Sequence, residues 1–318
     1  VGDARLRLDV SMGCSFAETA ETGSEQLVQE AESALQKCRA NEQHMMLFQT
    51  HDDETLGTSS HPMFDAHKAI ENGEFRVHYQ PQFDLSSRDL VGVEALVRWS
   101  GPEGLVAPGC FMTELERARA MMPLLQFVIN NASRDMARWI RRCPKLQVSI
   151  NSSATDLEDT DLVEIMREVL AMWNVAPSQL TLEITETSLM RNPQLAIDTL
   201  SHLRDLGIRT SIDDFGTGYS SLAWLKSLPL DELKIDRSFV KTIIDDKRDR
   251  KIVESVIELA HAMDLSVVAE GIESEGVMHV LREAGCDIGQ GYFFSQPLTG
   301  VEFERGWLNG AKAKESVA

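Results

Sequence analysis

Downstream of residue 64 the chain alternates short apolar stretches with longer segments whose apolar positions recur at helical spacing. Residues 76–81, 90–97, 146–150, 180–184, 208–212, 232–235, 265–269 and 287–289 read as strands, brief runs bounded by polar or glycine positions. Residues 64–72, 122–142, 159–173, 193–206, 250–263, 274–283 and 301–308 read as helices, and Leu222, Trp224, Leu225 and Leu228 mark the packed side of a further short one. The connection at 82–89 is too short for a crossover helix, so the first two strands are predicted to pair antiparallel. Strand–helix units repeated over roughly 250 residues point to a closed, TIM-like (β/α)8 barrel. An open doubly wound sheet is the alternative.

The first 49 residues follow another pattern. Residues 5–14 read as a strand ending near Gly13. Residues 24–39 read as a helix capped by Ser24, with Leu27, Val28, Ala31, Leu35 and Cys38 on one face, and 45–48 read as a closing strand. Such a piece is too small for a complete domain. The polar stretch 50–60 is assigned as a linker, and the second domain as residues 61–318.

Charge narrows the partners. A net charge of −19 over 318 residues argues against duplex DNA or an anionic membrane surface, but not against a small anionic substrate whose site holds cations. The five cysteines are scattered without a Cys-x-x-Cys pair, and the histidines stand apart from the acidic stretches. These features fit a reducing, cytoplasmic setting and disfavour a zinc site. No apolar run is long enough to cross a bilayer; a membrane anchor elsewhere in a longer protein stays compatible with this fragment.

The chemistry gathers at the strand ends. Glu94 lies in LVGVEALV and Asn151 follows LQVSI. Glu183 and Glu186 lie in LEITE, and Asp213 and Asp214 follow RTSI. Lys234 and Asp236 lie in LKID, Glu270 and Glu273 in VVAEGIE, and Gln290 follows CDIG. In a barrel these ends meet at one mouth. One acid there is usually a cap or a surface ion pair, but so many at equivalent positions disfavour one another's ionisation unless cations intervene. Oxygen donors select hard Mg²⁺ or Mn²⁺. Glu94, Asn151, Glu183 and Asp213 offer one ion four oxygens. Asp213 can bridge to a second ion completed by Asp214 and Glu270, the arrangement that activates water for in-line phosphoryl displacement. Lys234 is either a structural ion-pair partner or a group orienting the attacking water; its place at the mouth favours the second reading.

The ordered set YQP (79–81), EALVRW (94–99), Asn151, LEITE, DDFGTGYSSL, LKID, AEGIE and QGY (290–292) resembles the EAL domain family over residues 64–297. The resemblance implies a barrel with one antiparallel strand and hydrolysis of cyclic di-GMP to linear pGpG with Mg²⁺ or Mn²⁺. By motif, Glu94, Asn151, Glu183, Asp213, Asp214 and Glu270 would be metal ligands, with Lys234, Glu94 and Asp213 catalytic. Arg98, Gln80, Asp236 and Gln290 would contact substrate or its surroundings. Glu186 and Glu273 would hold the DDFGTG loop, and the barrel would form a homodimer. The segment 111–121, FMTELERARAM, departs from the family's Ile-Pro-x-Ala-Glu pattern, with Glu116 matching its glutamate. Residues 1–49 resemble the C-terminal end of a degenerate GGDEF domain lacking its signature. Two rival readings are a non-hydrolysing cyclic di-GMP receptor and an unrelated metal-dependent barrel hydrolase.

Overall fold

The computed structural model describes residues 12–15, 28, 31, 34–35, 45–47, 65–101, 104–216 and 222–309. The chain divides into two compact units, one of residues 1–64 with 109–113, the other of 65–108 with 114–318. In the first, β1 (Met12–Cys14) pairs in parallel with β2 (Met45–Leu47), and the intervening Val28, Ala31, Ala34 and Leu35 are helical. The rest of the predicted strand 5–14, helix 24–39 and linker 50–60 lies outside the described residues.

The second unit is a mixed barrel. Its walls are β3 (Phe75–Asp84), β4 (Leu90–Gly101), β6 (Gln147–Ser152), β7 (Leu180–Thr185), β8 (Arg209–Phe215), β9 (Glu232–Ile235), β10 (Ser266–Ala269) and β11 (Ile288–Gly289). A hairpin strand β5 (Gly104–Val106) extends β4, and β12 (Leu298–Thr299) lies along β3. From β4 to β11 each wall strand is parallel to the next, while β3 runs antiparallel to both β4 and β11 and closes the ring. Closure excludes the doubly wound alternative. The connection expected at 82–89 is shorter still, residues 85–89 between β3 and β4, and it is the reason for the one reversed strand, because so few residues can only turn the chain back beside itself.

Alternation along each wall strand separates two environments. Leu180, Leu182, Ile184, Ile212, Leu233, Ile235, Val267 and Ala269 belong to the continuous apolar core between the barrel and its jacket of helices. The residues between them, Thr181, Glu183, Ser211, Asp213, Glu232 and Lys234, are buried on the other face, inside the barrel. Both faces are therefore buried, but only the outer one is apolar. The helix Met121–Trp139 shows how the jacket docks: Leu125, Val128, Ile129, Ala132, Met136 and Trp139 form its buried stripe. The helix predicted at 301–308 is a single α turn, Gly300–Phe303, continued as a π-helix over Glu304–Leu308.

Candidate metal-dependent active site

The site begins with a break in a strand. Adjacent residues of a regular strand point to opposite faces, which would separate Asp213 from Asp214. The pairing of β8 with β9 instead shifts register between Ile212 and Phe215, and Asp214 takes a left-handed φ of 53°. Aspartate tolerates that conformation better than most residues, and such bulges re-aim side chains at barrel rims. As a result, carboxylate oxygens of Asp213, Asp214 and Glu270 lie within 4.8 Å of one another. Just beyond, the Gly216 N–H donates to Glu186 Oε2 at 3.2 Å, anchoring the start of the loop whose residues 217–221 lie outside the described set.

Below the rim sits Lys234, fully buried. Its Nζ is 2.5 Å from Glu270, 2.8 Å from Glu183, 3.4 Å from Asp213 and 3.6 Å from Glu94. Burial alone would depress the ammonium, yet Asp213, Glu183, Glu270 and Glu94 outweigh it and hold its pKa well above the ordinary lysine value. One ammonium cannot neutralise so many carboxylates. Burial, reinforced by Asp213, pushes the Asp214 carboxyl up to about 6. Burial likewise raises Glu270 to about 8 against the pull of Lys234, with Asp213 and Glu94 adding to the rise. Glu183 is also raised well above the usual range, by burial first and then by the like charges of Glu94 and Asp213. Glu94 goes the other way: Lys234 together with amides of Gln290 and Asn151 overcomes its burial and lowers its pKa.

The residues present fit cations. Excess buried negative charge wants neutralising, and among the described residues Glu183 Oε1 is buried without a hydrogen-bond partner. Asn151 donates Nδ2 to Glu94 Oε1 at 2.7 Å, which leaves its own oxygen free to coordinate.

The remaining predicted residues divide. Gln290 donates to Glu94 Oε2 at 2.5 Å and to Gln80 Oε1 at 3.0 Å, and Gln80 in turn donates to the Ser295 carbonyl at 3.1 Å. Gly291 makes this possible: a Cβ there would meet the Ile272 backbone at 2.1 Å, so only glycine lets the chain pass and present Gln290. Arg98 is half-buried near Tyr292, with Nη1 on its neighbour's carbonyl, Val97 O, at 2.8 Å. Asp236 caps the helix Arg237–Thr242 by accepting from the Ser238 N–H. Glu273 is exposed and faces Lys241 at 3.7 Å rather than joining the acidic cluster. On the flank of the same barrel end a cavity of about 320 Å³ is lined by Glu116, Arg119, Ser153, Ala154, Thr155, Ser188 and Arg191; the acidic cluster contributes nothing to its walls. One buried site neighbour was placed by the sequence in the connection at 82–89 and belongs to the strand instead: Gln82, two residues after Gln80 on the same strand face, a spacing that could have exposed it.

The family model described as EAL domain matches residues 65–297. Cyclic di-GMP phosphodiesterase NbdA of Pseudomonas aeruginosa is 36% identical over 296 residues, covering 92% of this chain and 38% of NbdA. Signaling protein YkoW of Bacillus subtilis is 34% identical over 309 residues, covering 96% of this chain and 38% of YkoW. The chain thus spans less than half the length of these relatives. Among solved structures, the PaMucR phosphodiesterase in complex with c-di-GMP matches with a TM-score of 0.73 at 36% identity, over 75% of this chain and 98% of that one. With its barrel, its acidic mouth and a family match covering most of its length, this chain belongs to the EAL domain family.

Proposed function

We propose that this chain hydrolyses cyclic di-GMP to linear pGpG. The observation that carries the reading is the set of carboxylates of Glu94, Glu183, Asp213 and Glu270 around buried Lys234, with Asp214 beside them at the same barrel end. The names of NbdA and PaMucR support cyclic di-GMP as the substrate. Glu94, Asn151, Glu183 and Asp213 would hold one Mg²⁺ or Mn²⁺, and Asp213, Asp214 and Glu270 a second. Bound there, paired dications lower the pKa of water and neutralise phosphate oxygens. The chain's own part is to hold these ligands in place. Lys234, fixed among Glu183, Asp213 and Glu270, sets positive charge beside the reacting phosphate. Water oxygen bonds to phosphorus, one P–O ester bond breaks, and the leaving ribose oxygen takes up a proton, so the ring opens with one water consumed.

Incubation with cyclic di-GMP and Mn²⁺, followed by chromatography, should yield pGpG, and excess chelator should stop it. Tight binding without pGpG would instead establish a receptor. On the sequence resemblance alone, residues 1–49 are proposed as the end of a GGDEF-like module that precedes the barrel in the chain. Self-association through the barrel is the remaining element of the proposal, to be read from solution mass by light scattering. Among the described residues no helix is long and apolar enough to cross a membrane.

A further inference from the structure

Gln82 is 5% exposed and points into the barrel, where it donates Nε2 to Gln290 Oε1 at 2.9 Å. The polarity of this contact is dictated from elsewhere. Carboxylates and backbone carbonyls only accept. Glu94 therefore requires the Gln290 nitrogen, whose second proton goes to Gln80 Oε1, and the Ser295 carbonyl requires the Gln80 nitrogen. Gln290 must then turn its oxygen to position 82, and only a donor there satisfies it. The far side of Gln82 is equally constrained. Its Oε1 nests against Gly92 on β4, where an added Cβ would come within 2.7 Å.

We infer that Gln82 is a positioning residue, which locks the Gln290 amide so that its nitrogen holds Glu94 Oε2 and aims the Glu94 carboxylate at the metal. Gly92 makes room for it. The inference rests on the functional reading above, because aim matters only if Glu94 coordinates. Groups that orient ligands typically change metal affinity by about 10–100-fold when altered.

The test compares wild type, Gln82→Met, Gln82→Glu and Gly92→Ala. Mn²⁺ binding is measured by titration calorimetry on metal-free protein without substrate, alongside thermal melting and steady-state hydrolysis. Gln82→Met keeps the shape and removes the donor. Gln82→Glu sets an acceptor against Gln290 Oε1. Gly92→Ala displaces the amide without altering it. All three should weaken Mn²⁺ binding by about tenfold or more, Gln82→Glu most, and lower kcat more than they raise KM. A packing role alone would move the melting temperature and leave Mn²⁺ affinity untouched. Mn²⁺ affinity within twofold of wild type in the variants that fold overturns the inference; should the substitutions at 82 prevent folding, Gly92→Ala decides it. Wild type that binds no Mn²⁺ overturns the functional reading itself, a distinct result.

Discussion

Lys234 shows how much one buried residue can be asked to do. With four carboxylates around it and no exposure, it is both counter-charge and floor of the site. Removing one partner of a buried ion pair usually destabilises, because the other charge is left stranded. Here two of the stranded groups, Glu183 and Glu270, are carboxylates that burial already pushes toward taking up protons, so Lys234→Ala should fold with these two acids protonated. Turnover should fall at least about 100-fold, the scale of losing one electrostatic contact to a transition state, with little change in KM. Steady-state kinetics decides this; a rise in KM at constant kcat would restrict Lys234 to substrate binding. Glu94→Ala should abolish Mn²⁺-dependent turnover while melting remains cooperative, and unchanged turnover would exclude Glu94 from the metal shell.

At the level of elements, the reversed strand β3 has the heaviest duty, since it alone closes the ring. Its outward Tyr79 donates to Asp135 Oδ2 at 2.8 Å and meets Trp139 edge-on, with ring centroids 4.7 Å apart, so one side chain pins the strand to the helix Met121–Trp139. Tyr79→Phe keeps the ring contact and removes the hydrogen bond. It should cost about 1–3 kcal/mol in urea unfolding, the range for stranding a buried polar partner; no loss would show that Arg134 and Arg138 suffice for Asp135. The eight wall strands and the antiparallel start were legible because alternation and short connections are local signals. The Asp213–Asp214 bulge was not, since the sequence places both acids beyond the strand at 208–212 whereas β8 runs through them to Phe215. The direction of Glu273 was equally hidden, because its exposure depends on how the loop after β10 turns. Gln82 was missed because the sequence ends the first strand at residue 81 and assigns 82 to the connection, whereas β3 runs on to Asp84 and turns this amide into the barrel.

For the whole molecule, the acidic cluster couples stability to pH and to cations. Unfolded, Asp and Glu titrate near 3.8 and 4.5; folded, Asp214 is at about 6 and Glu270 at about 8. Raised carboxylate values mean that the folded state binds more protons than the unfolded chain, so metal-free stability falls as pH rises through that window. His78 opposes this at lower pH: burial, then Arg98, depress it below 6.5, so the folded protein binds fewer protons there. Carboxylates held below their ordinary values, such as Asp84 and Glu74, contribute stability lost only as pH falls below those values. Lys234, raised above 10.5, keeps its contribution throughout the neutral range. The clean interval therefore runs from about pH 6.5 to about pH 8, where Glu270 sheds its proton. Dications bind the ionised acids and displace the same protons, so their affinity climbs over this interval. Melting with chelator should give a midpoint that drops from pH 6.5 to pH 8, and with Mn²⁺ a stabilising increment that grows over the same range. A metal-free midpoint that rises across the interval would mean that the folded barrel does not hold these acids protonated and that their crowding around Lys234 is not what sets the pH dependence.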